Sequence, residues 1–269
     1  MIRKSSIFWG SVLILLGGIF LIESLGIIEI NLWGIIGPVL LILFGAWVMI
    51  GYFMKEEPGE METVSIPVNN TRKAIINLQH GIGKLVLESG TEPGEILQGT
   101  FTQGVVHSTK KQGDRTMINL KLSNRGFPVI IFPWFIGTNQ QFRWTLRLSK
   151  EIPLELIMKI GANEAILDLS ELNIEKLRLE TGVSSTLLKL PASASYTNAV
   201  ISAGVVSLTI DIPEHVAAKI RYSGGLMDFR IDRSRFPKTG GFYQSPDYDS
   251  ASQKVDLKID GGIGSVNIK

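Results

Sequence analysis

The sequence predicts a membrane-anchored all-β protein, in which a two-helix N-terminal transmembrane hairpin is followed by a parallel β-solenoid domain. Three observations carry that expectation. Two apolar stretches without a charged residue, 7–22 and 32–54, fill the first fifth of the chain. From Gly161 onward, glycine-led alternating strands return at intervals of 21, 22 and 21 residues. No segment after residue 54 spaces its apolar residues with a helical period.

The hairpin, residues 1–54, comes first. A bilayer core needs roughly 20 apolar residues, so 32–54 is ample and 7–22 suffices with Ser5 and Ser6 among the headgroups. Arg3 and Lys4 precede the first span and Lys55 follows the second, whereas the connection 23–31 holds Glu23 and Glu29 and no basic residue. The positive-inside bias therefore places both termini in the cytoplasm, at the cell membrane. A secretory signal peptide is the rival reading, but a small-residue cleavage site is missing after Ile22 and a longer span follows at once. Gly17, Gly18, Gly34, Gly37 and Gly45 suit close helix packing in lipid, within the hairpin or against another membrane protein. Trp9, Trp33 and Trp47 lie near span ends, where they anchor at the interfaces. Neither span holds an ionisable side chain, which argues against a transporter or proton relay.

Residues 55–70 read as an acidic linker, with Glu56, Glu57, Glu60, Glu62, Pro58 and Pro67. Fully extended it reaches only about 50 Å, so the β domain, 62–269, stays near the membrane surface. Arg3, Lys4, Glu23 and Glu29 are the only charges before Lys55, so the 27 basic and 25 acidic residues lie almost entirely downstream, near balance. That balance gives no reason to expect nucleic acid as a partner. The absence of cysteine excludes disulfides and thiolate metal sites and fits a reducing compartment.

In the repeat, Gly161 opens a strand with Ala165, Leu167 and Leu169; Gly182 opens one with Thr186, Leu188 and Leu190 before Pro191. Gly204 leads Leu208, Ile210 and Ile212 before Pro213, and Gly225 leads Met227, Phe229 and Ile231. Second strands of the same alternation lie between: Leu177 and Leu179, Ala199 and Ile201, Ile220 and Tyr222. Each unit is read as two short strands with two turns. Self-similarity near twenty residues marks a solenoid, in which stacked repeats bury the face that one repeat cannot. An antiparallel meander would alternate too, but its loops of two to five residues do not demand so regular a glycine interval. Similar units occur at Ala74, Ile76 and Leu78 before Gly81 and Gly83, and at Val255, Leu257 and Ile259 before Gly261, Gly262 and Gly264. Residues 95–106, 115–122 and 142–148 also alternate.

Arg3, Lys4, Phe8, Trp9, Gly10, Gly17, Leu21, Leu25, Gly26, Trp33, Pro38, Leu41, Ile42 and Gly45 form a pattern that resembles the transmembrane region shared by LiaI and LiaF proteins. Trp144, Ile152, Pro153, the strands ending in Pro191 or Pro213, and Gly261, Gly262, Ile263, Gly264, Ser265 and Val266 are similar to the toast-rack β-solenoid of LiaF and related cell-wall-stress proteins. The resemblance implies a LiaF-like bacterial membrane protein that modulates an envelope-stress response, with a membrane sensor histidine kinase as partner. The chain departs from it in having two spans, fewer than LiaF usually shows, and in the apolar insert 127–136.

Patterns that carry chemistry are broken or absent. Gly81 and Gly83 begin a dinucleotide motif, but Val86 stands at the third glycine and a strand follows. Residues 261–267 are near a calcium-binding nonapeptide, with Ser265 in place of the ligand aspartate. His80, His107 and His215 are scattered and read as surface or turn residues. Asp228 with Asp232, or Asp247 with Asp249, have the look of paired carboxylates, but charges at alternating strand positions belong to a solvated face. No catalytic residue, metal or cofactor is expected, and the chain is not read as an enzyme.

Two patches remain as candidate membrane or partner contacts. Phe127, Ile130, Ile131, Phe132, Trp134 and Phe135 lie in a ten-residue apolar run too short to span a bilayer, broken by Pro128 and Pro133. Either it caps an open solenoid end, or it meets the bilayer interface or a partner. Arg230, Arg233, Arg235 and Lys238 form a basic cluster, suited to anionic headgroups or simply solvated. A non-catalytic regulatory or partner-binding module is the first function expected. A scaffold that self-assembles through its solenoid ends is the alternative, and a polysaccharide-active β-helix enzyme, which needs an exported domain, comes last.

Overall fold

The computed structural model describes residues 37–39, 41–42, 61–123 and 142–269. The predicted spans lie outside the described residues except for Gly37, Pro38, Val39, Leu41 and Ile42, which are helical. Among the described residues no helix is long and apolar enough to cross a membrane. The apolar run 127–136 also lies outside them. The chain divides into Met1–Glu56 and Glu57–Lys269, and the second unit is all β.

Its strands are β1 (Met61–Pro67), β2 (Lys73–Ser89), β3 (Glu95–Thr102), β4 (Val105–Gln112), β5 (Arg115–Leu122), β6 (Arg143–Leu148), β7 (Leu154–Asp168), β8 (Ile174–Lys189), β9 (Tyr196–Asp211), β10 (Ala217–Ile231), β11 (Lys238–Thr239), β12 (Phe242–Gln244) and β13 (Lys254–Ile268). β1 occupies part of the stretch expected as linker. Six long strands stack in parallel in the order β2, β7, β8, β9, β13, β10. The repeat is thus a parallel solenoid, as expected, and among the described residues antiparallel pairs occur only at its two ends.

Each rung differs from the expected two short strands in being one continuous strand that bends at a glycine. The inward set of β7 runs Leu154, Leu156, Met158 and Ile160, then resumes at Asn163, Ala165 and Leu167, so the alternation slips by one residue at the bend. That slip keeps both arms of the strand facing one core. Every inward Leu or Ile so buried contributes about 1.5–3 kcal/mol.

The bends stack directly. A Cβ added to Gly161 would stand 2.1 Å from the Gly81 carbonyl oxygen, and one on Gly204 2.7 Å from that of Gly182. On Gly262 it would meet the Gly204 oxygen at 2.5 Å, and on Gly225 the Gly262 oxygen at 2.9 Å. Such separations leave no room for a side chain, which accounts for the glycine interval in the sequence.

That column also reveals an order the repeat does not predict. Gly204 and Gly225 are consecutive in the periodic pattern, yet Gly262 lies between them, because β13 is inserted between β9 and β10. Ser265 thus pairs with Ser207 on one side and Asp228 on the other.

The two ends are finished differently. At the N-terminal end β5 and then β4 cover the first arm of β2, while β6, β3 and β1 cover the second. Trp144 on β6 is fully buried there, edge-on to Phe101 at 4.9 Å. At the C-terminal end β12 reaches β10 only at Lys219 and Ile220.

Candidate functional site

The bend gives the rack its most distinctive outer surface, built from three parallel rows. Gly81, Gly161, Gly182 and Gly204 floor a shallow trough of about 1140 Å³, walled by side chains that include Lys121, Lys159, Glu180 and Asp260. Along one bank the register aligns Lys121, Gln79, Lys159, Glu180, Ser202 and Asp260. Lys159 and Glu180 pair at 3.2 Å, and Lys258 pairs with Asp260 at 3.0 Å. Along the other bank, directly after each glycine, run Ile82, Ala162, Val183, Val205, Ile263 and Leu226. Val183 is 59% exposed and Leu226 80%. The slip at the bend turns this row outward, so an aliphatic ridge lies open on the surface.

Inside the bend the lining is polar. The Asn163 amide donates to Nδ1 of His80 at 2.5 Å, and Thr181 donates to the Ser184 hydroxyl at 2.6 Å. His80 is buried within β2, contrary to the surface or turn position expected for it, and its ring lies 4.8 Å from that of Trp144. Burial pushes its pKa down to about 4, with the Phe142 backbone pulling weakly the other way, so the ring is neutral at ordinary pH. His107 and His215 are exposed, as expected.

The sequence-predicted contacts are distributed as follows. Phe127, Ile130, Ile131, Phe132, Trp134 and Phe135 lie outside the described residues. Arg230 projects from the outer face of β10 and pairs with Asp228 at 2.7 Å. Arg233 is exposed in the turn that follows. Arg235 is spent internally: its guanidinium donates to the carbonyls of Ile212 at 2.5 Å, Pro213, and Val216 at 3.3 Å. Lys238 stands 5.9 Å over the Tyr243 ring. The four cations are therefore brought to one end of the rack without forming a single free patch. Among the described residues no cluster of His, Asp or Glu has the makings of a metal site. What the surface offers is shape, paired charge and exposed aliphatic area.

The glycine column, the slipped alternation and the parallel order can now be set beside known proteins. The family described as the N-terminal domain of toast_rack, DUF2154, matches residues 55–211, more than half of the chain. The chain belongs to that family. The toast_rack match ends with the last residue of β9, so β10 to β13 and the C-terminal end of the rack lie beyond it. The crystal structure of a candidate cell-adhesion protein from Clostridium sporogenes is similar at a TM-score of 0.69 and 22% identity, covering 78% of this chain and 98% of that one. At that identity the likeness shows the fold alone. Candidate adhesins from Bacteroides fragilis and Parabacteroides distasonis are each 10% identical, cover 79% and 78% of this chain and 99% and 98% of theirs, and have TM-scores of 0.28 and 0.24. None of the curated proteins compared with the chain matches it.

Proposed function

We propose that this toast-rack protein is a membrane-anchored, non-catalytic regulator that holds a rigid β-solenoid beside the cytoplasmic face of the membrane for a partner to read. In the LiaF-like form of this reading, the partner is a membrane sensor histidine kinase of a bacterial cell-envelope stress response. The observation that carries it is the pairing of two span-length apolar stretches with a toast-rack domain in one chain. The lipid bilayer is then a contact as well as an anchor, and Phe127, Ile130, Ile131, Phe132, Trp134 and Phe135, with Arg230, Arg233 and Lys238, are its candidate points of touch. The exposed ridge of Val183, Val205, Ile263 and Leu226 adds a partner surface on the rack itself.

In-cell crosslinking followed by mass spectrometry of the full chain tests this. Recovery of a sensor kinase, lost when residues 7–54 are deleted, is the expected result. Recovery of no membrane protein, or an inactive cytoplasmic reporter fused after Lys269, contradicts it. A scaffold assembled through solenoid ends is the second reading, favoured by the uncovered part of β10.

A further inference from the structure

Because β13 is inserted ahead of it, β10 is the terminal rung of the stack; β12 pairs its outer side at Lys219 and Ile220 and Ser245 bonds it at Ala218, and among the described residues no strand pairs its second arm on that side. The amide of Asp232 donates to the carbonyl of Ile268 on β13. In a parallel ladder successive residues address opposite sides, so Arg230 and Asp228 also bond toward β13. Met227, Phe229 and Ile231 therefore aim their N–H and C=O groups away from the sheet, and among the described residues these have no backbone partner. Their side chains face the core. One rung inward, Val266 and Ile268 of the same rows are fully buried, whereas Met227, Phe229 and Ile231 are only partly buried, with Tyr222 stacked on Phe229 at 4.2 Å and the Tyr243 ring tilted against it at 5.5 Å. The core is only partly covered here, and the edge beside it carries unused hydrogen-bonding groups.

We infer that this edge is completed by the same edge of a second copy, running antiparallel about a two-fold axis at Phe229. The segment Met227, Asp228, Phe229, Arg230, Ile231 is self-complementary in that register. Phe229 lies opposite the second copy's Phe229, Met227 opposite its Ile231, and Asp228 opposite its Arg230. The residues with free backbone groups, 227, 229 and 231, are those that exchange ladder bonds, roughly six in all. The charged residues fall at the intervening positions, where cross-strand side chains come closest. Asp228 and Arg230 already attract at 2.7 Å within one copy, so the pairing alternates charge across four side chains. The opposite end of the rack does not offer this: the edge strand β4 exposes His107, Lys110 and Lys111, charges that resist pairing. An isologous contact of this kind closes at two copies and does not grow into a fibre. It stands independently of the regulatory reading above.

Sedimentation of the full chain in detergent tests it. The expected result is a concentration-dependent monomer–dimer equilibrium that stops at two copies. Asp228→Arg places arginine against arginine and weakens association about tenfold. Asp228→Arg with Arg230→Asp restores opposite charges in every pair and returns the affinity to within about threefold. In this cysteine-free chain, Phe229→Cys oxidises to a crosslinked dimer and His107→Cys does not. A strictly monomeric chain, growth beyond two copies, indifference to Asp228→Arg as hairpin-driven association would give, or failure of the double exchange to recover affinity each overturns the proposal.

Discussion

Gly161 stands so close above Gly81 that a Cβ on it would lie 2.1 Å from the Gly81 carbonyl oxygen. The contact is backbone to backbone, so neither partner can swing aside. Gly161→Ala should therefore cost about 1–3 kcal/mol by overpacking. Gly81 has nothing within 4 Å of its own added Cβ and no positive φ, so Gly81→Ala should change stability by less than about 0.5 kcal/mol. Urea unfolding of the two variants checks the contrast, and equal effects would contradict the stacked bend.

Arg235 behaves as a clamp. Three backbone carbonyls of residues 212, 213 and 216 depend on its guanidinium, tying the turn after β10 to the segment between β9 and β10. Arg235→Ala should destabilise by about 1–3 kcal/mol, and Arg235→Lys should recover little, because an ammonium lacks the planar fork. The exposed Arg233→Ala should be neutral within about 0.5 kcal/mol. Thermal unfolding distinguishes them.

The buried His80 gives stability a pH dependence of definite sign. The unfolded chain binds its proton near the ordinary pKa of 6.5, and the folded chain only near 4. Between those values the unfolded state holds the extra proton, so stability falls as pH falls. Above 6.5 the site contributes no slope, and below about 4 its loss is complete, at about 3 kcal/mol. Glu155, lowered chiefly by its bond from Lys73, loses its contribution only below the ordinary carboxylate range, so the interval from 6.5 to 4.5 belongs mainly to the histidine. His80→Gln should flatten the urea midpoint across that interval; an unchanged slope would contradict the burial.

The aliphatic ridge is surface, not core. Val183→Thr and Val205→Thr should leave stability within about 0.5 kcal/mol of the parent, whereas Leu208→Ala, at a position 2% exposed, should cost about 2–5 kcal/mol. Binding of a hydrophobic dye should fall in the two threonine variants and confirm the ridge as an accessible patch. A large loss of stability in either would place the row inside the fold.

How much of this was legible in the chain follows from which forces act locally. Glycine spacing and alternation are enforced rung by rung, so the parallel stack could be read directly from Gly161, Gly182 and Gly204. The place of β13 could not, because its pattern fits any rung and only the return path of residues 232–253 selects the gap beside β9. His80 did carry a signal: it continues the inward set of Ala74, Ile76 and Leu78 on β2. The outward ridge depends on a one-residue slip at each bend, which periodicity alone leaves undetermined. Arg235 bonds to carbonyls, and backbone carbonyls leave no mark in a sequence.

The inserted rung is the claim on which the open end and its chemistry depend, and proximity of paired thiols tests it most directly. With cysteines introduced as Ser207→Cys and Ser265→Cys, on residues paired between β9 and β13, a short thiol-to-thiol reagent should join β9 to β13 rapidly. The pair Ser207→Cys and Asp228→Cys, which simple repeat order would make neighbours, should stay unjoined because Ser265 separates them. The reverse outcome, linkage of 207 to 228 and none of 207 to 265, would contradict the account.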